Sequence, residues 1–199
     1  MKWDSISTKK KTKLPEHAPF APSQYYWLNY DIEKLLSVYA NKSAAKKGTK
    51  MHKFAAKCIK KRERLWKCKR TLNLFVNDAI GFGMDSEIRL YYSEHFYGKA
   101  DAIFYDQNEK VLRIHDLKTG AIPAGMTQLE VYAALFFLQY ADKLKMPPEE
   151  TMIELRIYQN SEVIIENPEP DSIRKIMDII VEFDQVLKQA DELALTEKD

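Results

Sequence analysis

Before Ser86 the apolar residues recur every three or four positions, and after it they alternate, so the chain changes from a helical to a strand pattern there. The segment MHKFAAKCIKKRERLW (51–66) has apolar residues at 51, 54, 55, 58, 59, 65 and 66, one stripe of a helix with lysines and arginines on its other side. His52 stands at the border of that stripe. DIEKLLSVYA (31–40) predicts an earlier helix, and NKSAAKKGTK a break around Gly48. TLNLFVNDAIGFGM (71–84) predicts a short helix ended by Gly81 and Gly83. In APFAPSQYYWLNY (18–30), Ser23 has the chemistry of an N-cap for a short helix carrying Trp27 and Leu28.

Past residue 86, SEIRLYYSEHF, GKADAIFYD and KVLRIHDLK predict three strands, the last two joined by a DQNE turn. After the loop TGAIPAG, TQLEVYAALFFLQYADKL (127–144) predicts a strong helix. Thr127 and Glu130 have capping-box spacing, and Leu129, Tyr132, Ala133, Phe136 and Tyr140 trace a buried face. TMIELRIYQN predicts a fourth strand, EVIIEN a possible partner for it, and residues 169–194 an acidic amphipathic helix. Helices, three strands, a helix, one or two strands and a helix imply an α/β or α+β fold, here read as α/β, with a mixed central β-sheet flanked by helices on both faces. With no internal repeat and no linker, residues 18–199 form a single domain behind a flexible basic arm over residues 1–17.

Charge changes this picture from architecture toward partners. The net charge is +2 over 199 residues, but it is unevenly spread. Residues 42–70 hold 13 Lys or Arg against one acid, Glu63, and residues 149–199 hold 14 acids against five bases. A basic pole suits a polyanion, with a solvated helix face as the plain alternative. Lys57, Lys60, Lys61, Arg62, Arg64 and Lys67 are the candidates for phosphate contacts, which position a strand without reading it. Cys58 and Cys68 are two thiols, too few for a zinc site or an iron–sulfur cluster, and read as small packing residues. No apolar run reaches the roughly 20 residues of a membrane span, and the first residues lack the apolar core of a secretory signal. The expected location is therefore cytoplasmic.

The hairpin GKADAIFYDQNEKVLRIHDLKTG (98–120) carries the chemistry. Alternate strand residues share a face, so Asp116 and Lys118 point the same way. A turn centred near Asn108 sets Asp101 almost directly opposite Asp116. Two ionised carboxylates so placed repel unless a cation lies between them. A hard divalent ion suits the gap, because it takes carboxylate and carbonyl oxygens and keeps several waters. Lys118 would then stabilise charge on an attacked phosphate or orient a water. The competing reading is two surface aspartates and an ordinary salt bridge.

In order along the chain, GTKMH (48–52), GKADAI (98–103), DLKTG (116–120) and QLEVY (128–132) resemble the motifs of the PD-(D/E)XK nuclease superfamily, in particular its RecB-like and phage-type exonuclease branch. The resemblance covers about residues 20–160. It implies a restriction-endonuclease-like core and hydrolysis of phosphodiesters with one or two Mg²⁺ or Mn²⁺ ions. Site roles follow from it residue by residue. Asp101, Asp116 and the carbonyl of Leu117 would ligate the metal, His52 would approach it from the helix as a further candidate ligand, and Lys118 would position or activate the water. Gln128 and Tyr132 would support the site and touch the nucleic-acid backbone. The chain lacks the four cysteines of the iron–sulfur members, so no iron–sulfur cluster is expected. Glu87, Glu94 and Asp78 are candidates for a further acidic ligand.

The expected activity is an exonuclease on linear DNA ends, single- or double-stranded, in phage recombination or end processing. An endonuclease of the same fold and a non-catalytic nucleic-acid-binding module are the alternatives. A homo-oligomer or a recombination protein would be the further partner. His115 should point to the opposite sheet face and pack there, and His95 has no supporting context. Tyr25, Tyr26 and Trp27 are either base-stacking aromatics or core.

Overall fold

The computed structural model describes residues 20–41, 50–119, 123–144 and 146–196. The basic arm expected over 1–17 lies outside them, as do Gly48, Thr49 and Gly120 of the motifs. Five helices, α1 (Ile32–Asn41), α2 (Lys50–Lys61), α3 (Thr71–Gly81), α4 (Thr127–Leu144) and α5 (Pro170–Thr196), accompany five strands. The strands are β1 (Asp85–Tyr91), β2 (Tyr97–Asp106), β3 (Val111–Leu117), β4 (Met152–Gln159) and β5 (Glu162–Glu166). They form one mixed sheet in the order β1-β2-β3-β4-β5, antiparallel except for the β3–β4 pair. A parallel pair needs a crossover, and α4 supplies it.

The sheet separates two apolar clusters. On one side Ile103, Tyr105, Leu112 and Ile114 meet α4, with α5 and Trp27 packed behind. On the other, Ala102, Leu117 and Tyr158 meet Ile59 of α2 and Phe75, Val76 and Ala79 of α3. Helices thus cover both faces, as the pattern implies. Strand β3 is buried on both sides, so the polar residues of VLRIHDL are enclosed with the apolar ones, His115 and Asp116 fully and Arg113 in part. The crossover α4 is buried all round from Val131 to Phe137, more than the single stripe read from the sequence, because both the sheet and α5 cover it.

Four local expectations are corrected. The helix at 51–66 ends at Lys61, where Arg62 turns into the left-handed region at φ 55°. Met51, Phe54 and Trp66 are exposed, leaving Ala55, Ala56, Cys58 and Ile59 as the buried stripe. Ser23 caps nothing, because a 3-10 helix spans Pro22–Asn29 and begins one residue earlier. Thr127 is already helical, and the Glu130 N–H donates to the Met126 carbonyl at 3.1 Å rather than to the Thr127 hydroxyl. The first strand stops at Tyr91, and Tyr92–Phe96 form a bend whose N–H groups at 95 and 96 donate to Ser93 Oγ.

Of the two glycines expected to end α3, Gly81 is its last residue and Gly83 makes the turn. Gly83 is left-handed at φ 69°, and the Phe82 and Met84 N–H groups close onto the Asp78 and Ala79 carbonyls. The guanidinium of Arg62 donates to the Met84 carbonyl at 2.6 Å, pinning this turn to the end of α2.

Candidate active site

Register decides what the hairpin brings together. The β2–β3 ladder pairs Asp106 with Val111 and continues to Ala102 with His115. One further step sets Asp101 opposite Asp116, on the same face of the sheet. Asp106 Oδ1 accepts from the Asn108 and Glu109 N–H groups, which builds the polar turn and fixes that register. On the other side, Glu87 falls between the Ser86–Ala102 and Ile88–Ala100 pairs, facing Asp101. Its φ of 58° interrupts the ladder, and its carboxylate pairs with Lys99.

Each member of the pair has its own partners. Asp101 accepts from the Leu117 N–H at 3.0 Å and meets His52 Nδ1 at 3.0–3.1 Å. That hydrogen bond, against the effect of burial, raises the His52 pKa. Asp116 is 4% exposed. Its Oδ1 accepts from Gln128 Nε2 at 3.3 Å, and Lys118 Nζ lies 2.9 Å from Oδ2. Oδ2 has no aligned hydrogen-bond donor, although the ammonium is that close. Burial, then the Asp101 charge, raise the Asp116 pKa, and Lys118 opposes them. Lys118 Nζ also donates to Gln128 Oε1 at 2.5 Å, closing an Asp116–Lys118–Gln128 triangle.

The first turns of α4 supply the remaining wall. Gln128 and Tyr132 lie four residues apart on one helix face. Gln128 bridges the acid and the lysine, while Tyr132 Oη donates to the Lys99 carbonyl of β2 at 2.8 Å. Both side chains are buried. Burial and the two aspartate charges hold the Tyr132 phenol protonated, so it acts as a donor that anchors α4 over the strand. Tyr132, expected to touch the nucleic-acid backbone, has its hydroxyl turned onto β2. For Leu117, it is the N–H that touches Asp101.

The other candidates are spread out. Lys57, Lys60 and Lys61 line an open groove of about 380 Å³ with Lys53, Ala56 and Glu87. Lys53 belongs with them by its spacing on α2, and Glu87 joins the groove to the acidic pair. Arg62, by contrast, is tied to Met84, Gly83 and Asp85. Arg64 and Lys67 are exposed in the α2–α3 connection. Asp78 accepts from Tyr158 Oη at 2.9 Å on the opposite sheet face, and Glu94 sits in the β1–β2 bend, so of the three further acids only Glu87 adjoins the pair.

His115 packs on that opposite face, as expected, where its Nδ1 meets Tyr158 Oη at 3.2 Å and burial lowers its pKa to about 3. Trp27 is core, whereas Tyr26 is exposed and stacked on Tyr25. His95 does have context. It is buried between Asp184 and Asp191 at 3.1 and 2.8 Å, far along the chain on α5.

Among the described residues no group of three or more His, Cys, Asp or Glu is arranged to hold a metal ion. The donor set nevertheless suits a hard divalent cation, which needs only one or two carboxylates and keeps its waters. The buried Asp116 Oδ2, lacking an aligned donor, is the atom such an ion would satisfy. No protein-family model matches the chain, and no curated protein matches its sequence.

Proposed function

We propose that the chain is a metal-dependent deoxyribonuclease with a restriction-endonuclease-like core, acting on the ends of linear DNA. The observation that carries this reading is the Asp101–Asp116 pair facing across two strands, with Lys118 Nζ 2.9 Å from Asp116. The element order also supports it, with a helix, three antiparallel strands, a helix and a parallel strand. Preference for ends rests on the likeness of GTKMH, GKADAI, DLKTG and QLEVY to the RecB-like exonucleases.

Asp101 and Asp116 would hold Mg²⁺ or Mn²⁺, which supplies Lewis-acid polarisation of the phosphate group to be attacked. The protein's own groups do the rest. Lys118, kept in place by Asp116 and Gln128, presents a cation that offsets negative charge developing on the attacked phosphate. His52 holds the free side of Asp101 and keeps that carboxylate oriented. Tyr132 fixes the helix that carries Gln128. Lys53, Lys57, Lys60 and Lys61 neutralise backbone phosphates along the groove that adjoins Glu87.

The test incubates the protein with end-labelled linear DNA and covalently closed circular DNA, in Mg²⁺, in Mn²⁺ and in EDTA. Cleavage of the linear form in metal alone is expected, lost in Asp116→Asn and Lys118→Ala. Cleavage undiminished in both variants, or none by the wild type in either metal, refutes a nuclease. Cutting of the closed circle refutes end specificity and makes the enzyme an endonuclease. Metal-independent DNA binding without cleavage makes it a binding module.

A further inference from the structure

Trp66 is the most exposed large apolar side chain among the described residues, with 85% of its surface open. Isolated apolar residues on a surface are common, but this one is mounted. The Leu65 N–H donates to Asn77 Oδ1 at 2.8 Å, and the Leu65 carbonyl accepts from Asn77 Nδ2 at 3.0 Å. The Trp66 carbonyl accepts from Asn73 Nδ2 at 2.7 Å. Asn73 and Asn77 stand four residues apart on α3, so one face of that helix grips the backbone on both sides of the indole. Leu65 packs against the cluster between α3 and the sheet. The connection is fixed inward through its backbone and its leucine, and the ring is left facing water.

The surroundings specify the chemistry. Arg64, Lys67, Lys69 and Arg70 are all exposed around Trp66 in the chain. Glu63, the lone acid of the basic segment, is paired with Lys61 at 3.4 Å. A planar apolar ring among exposed cations matches a nucleotide, which offers a flat base and a phosphate a few ångströms away. Base–aromatic stacking tolerates any sequence, because every base has a π-face. In a duplex those faces are already stacked, so the matching ligand is an unpaired strand.

We propose that Trp66 is a stacking platform for a base of single-stranded DNA, with Arg64 and Lys67 on its phosphates. This rests on the nuclease reading and deepens it, since it makes an unpaired end the form of substrate delivered to the acidic pair. A hydrophobic protein partner is the competing occupant, and it would gain nothing from the surrounding cations.

The test is run in EDTA, so that nothing is cut, and in a Trp3→Phe background. Trp27 is buried and emits at shorter wavelength, so the red edge of the tryptophan emission then reports the exposed Trp66. Oligothymidylate of about twelve nucleotides and a duplex of equal length are titrated separately. The expected result is quenching by the single strand. Trp66→Ala should abolish it and weaken single-strand affinity about 5- to 100-fold, with Trp66→Phe keeping most of the affinity and duplex affinity unchanged. Unchanged single-strand affinity in Trp66→Ala overturns the platform, as does an equal loss for duplex, no binding by the wild type, or a change in oligomeric state as the sole effect. The two readings fail separately. Quenching without any metal-dependent cleavage removes the nuclease and leaves the platform, and cleavage without the Trp66 effect does the reverse.

Discussion

A β-carbon at Gly98 would lie 2.6 Å from Pro22 Cδ and 2.8 Å from Tyr132 Cε1. The glycine is there so that the Tyr132 ring can lie against β2 while its hydroxyl reaches the Lys99 carbonyl. Gly98→Ala must displace that ring or the Pro22 turn, at a cost of about 1–3 kcal/mol. Urea unfolding measures the loss, and an unchanged midpoint would mean that the ring is free to shift. Asp116 presents the opposite case, a residue that opposes folding. Its carboxylate is buried and faces a second carboxylate, and Lys118 offsets only part of this. Asp116→Asn keeps the shape and removes the charge. The variant is expected to unfold at higher urea than wild type in EDTA, while cleavage falls by about a hundredfold or more. A variant that is both less stable and inactive would reduce Asp116 to a structural residue.

At the scale of elements, β2, β3 and α4 were legible because each carries a period and a stop. The alternation from Gly98 and the DQNE turn place Asp101, Asp116 and Lys118 together, whereas Gln128 and Tyr132 join them in the sequence only through the likeness of QLEVY to the nuclease motif. What the sequence hides depends on contacts between distant segments. Nothing local to His95 signals that α5 brings Asp184 and Asp191 against it, about ninety residues on. Glu87 gains meaning only from the β1–β2 register, and the end of α2 at Lys61 only from the turn that Arg62 makes. The α5 contact has a consequence for stability. Burial tends to raise the Asp184 pKa, but Lys188, Ser93 and His95 outweigh it and hold the carboxyl below its ordinary value. A depressed carboxyl contributes stability above its unfolded pKa and loses it as pH falls through the folded one. Asp184→Asn should therefore cost about 2 kcal/mol at pH 7, with the gap to wild type closing as pH falls below about 4. Urea midpoints across that range measure it, and a gap independent of pH would assign the loss to packing alone. DNA cleavage should be unaffected, because this clasp fastens α5 to the β1–β2 bend rather than to the acidic pair.

Across the whole molecule, the charge split read from the sequence takes a definite form. From Lys50 on, the basic segment becomes one side of α2 and the connection after it, and most of the described acidic tail becomes α5, which packs behind α4 on the far side of the sheet. Lysine counts along the chain identify the pole but not its useful members. Arg62 is consumed by the Met84 carbonyl, whereas Lys53, Lys57, Lys60 and Lys61 share a groove. Phosphate contacts release counterions, and each contributes close to one unit to the slope of log K against log salt. Lys53→Ala with Lys57→Ala should reduce that slope by about two for duplex and single strand alike, leaving the fold intact, since both ammonium groups are exposed. Arg62→Ala should instead lower stability and leave the slope nearly as it was. Binding isotherms in EDTA at several salt concentrations measure both. A slope that falls for Arg62→Ala but not for the paired lysine variant would move the DNA path off α2 and onto the α2–α3 connection.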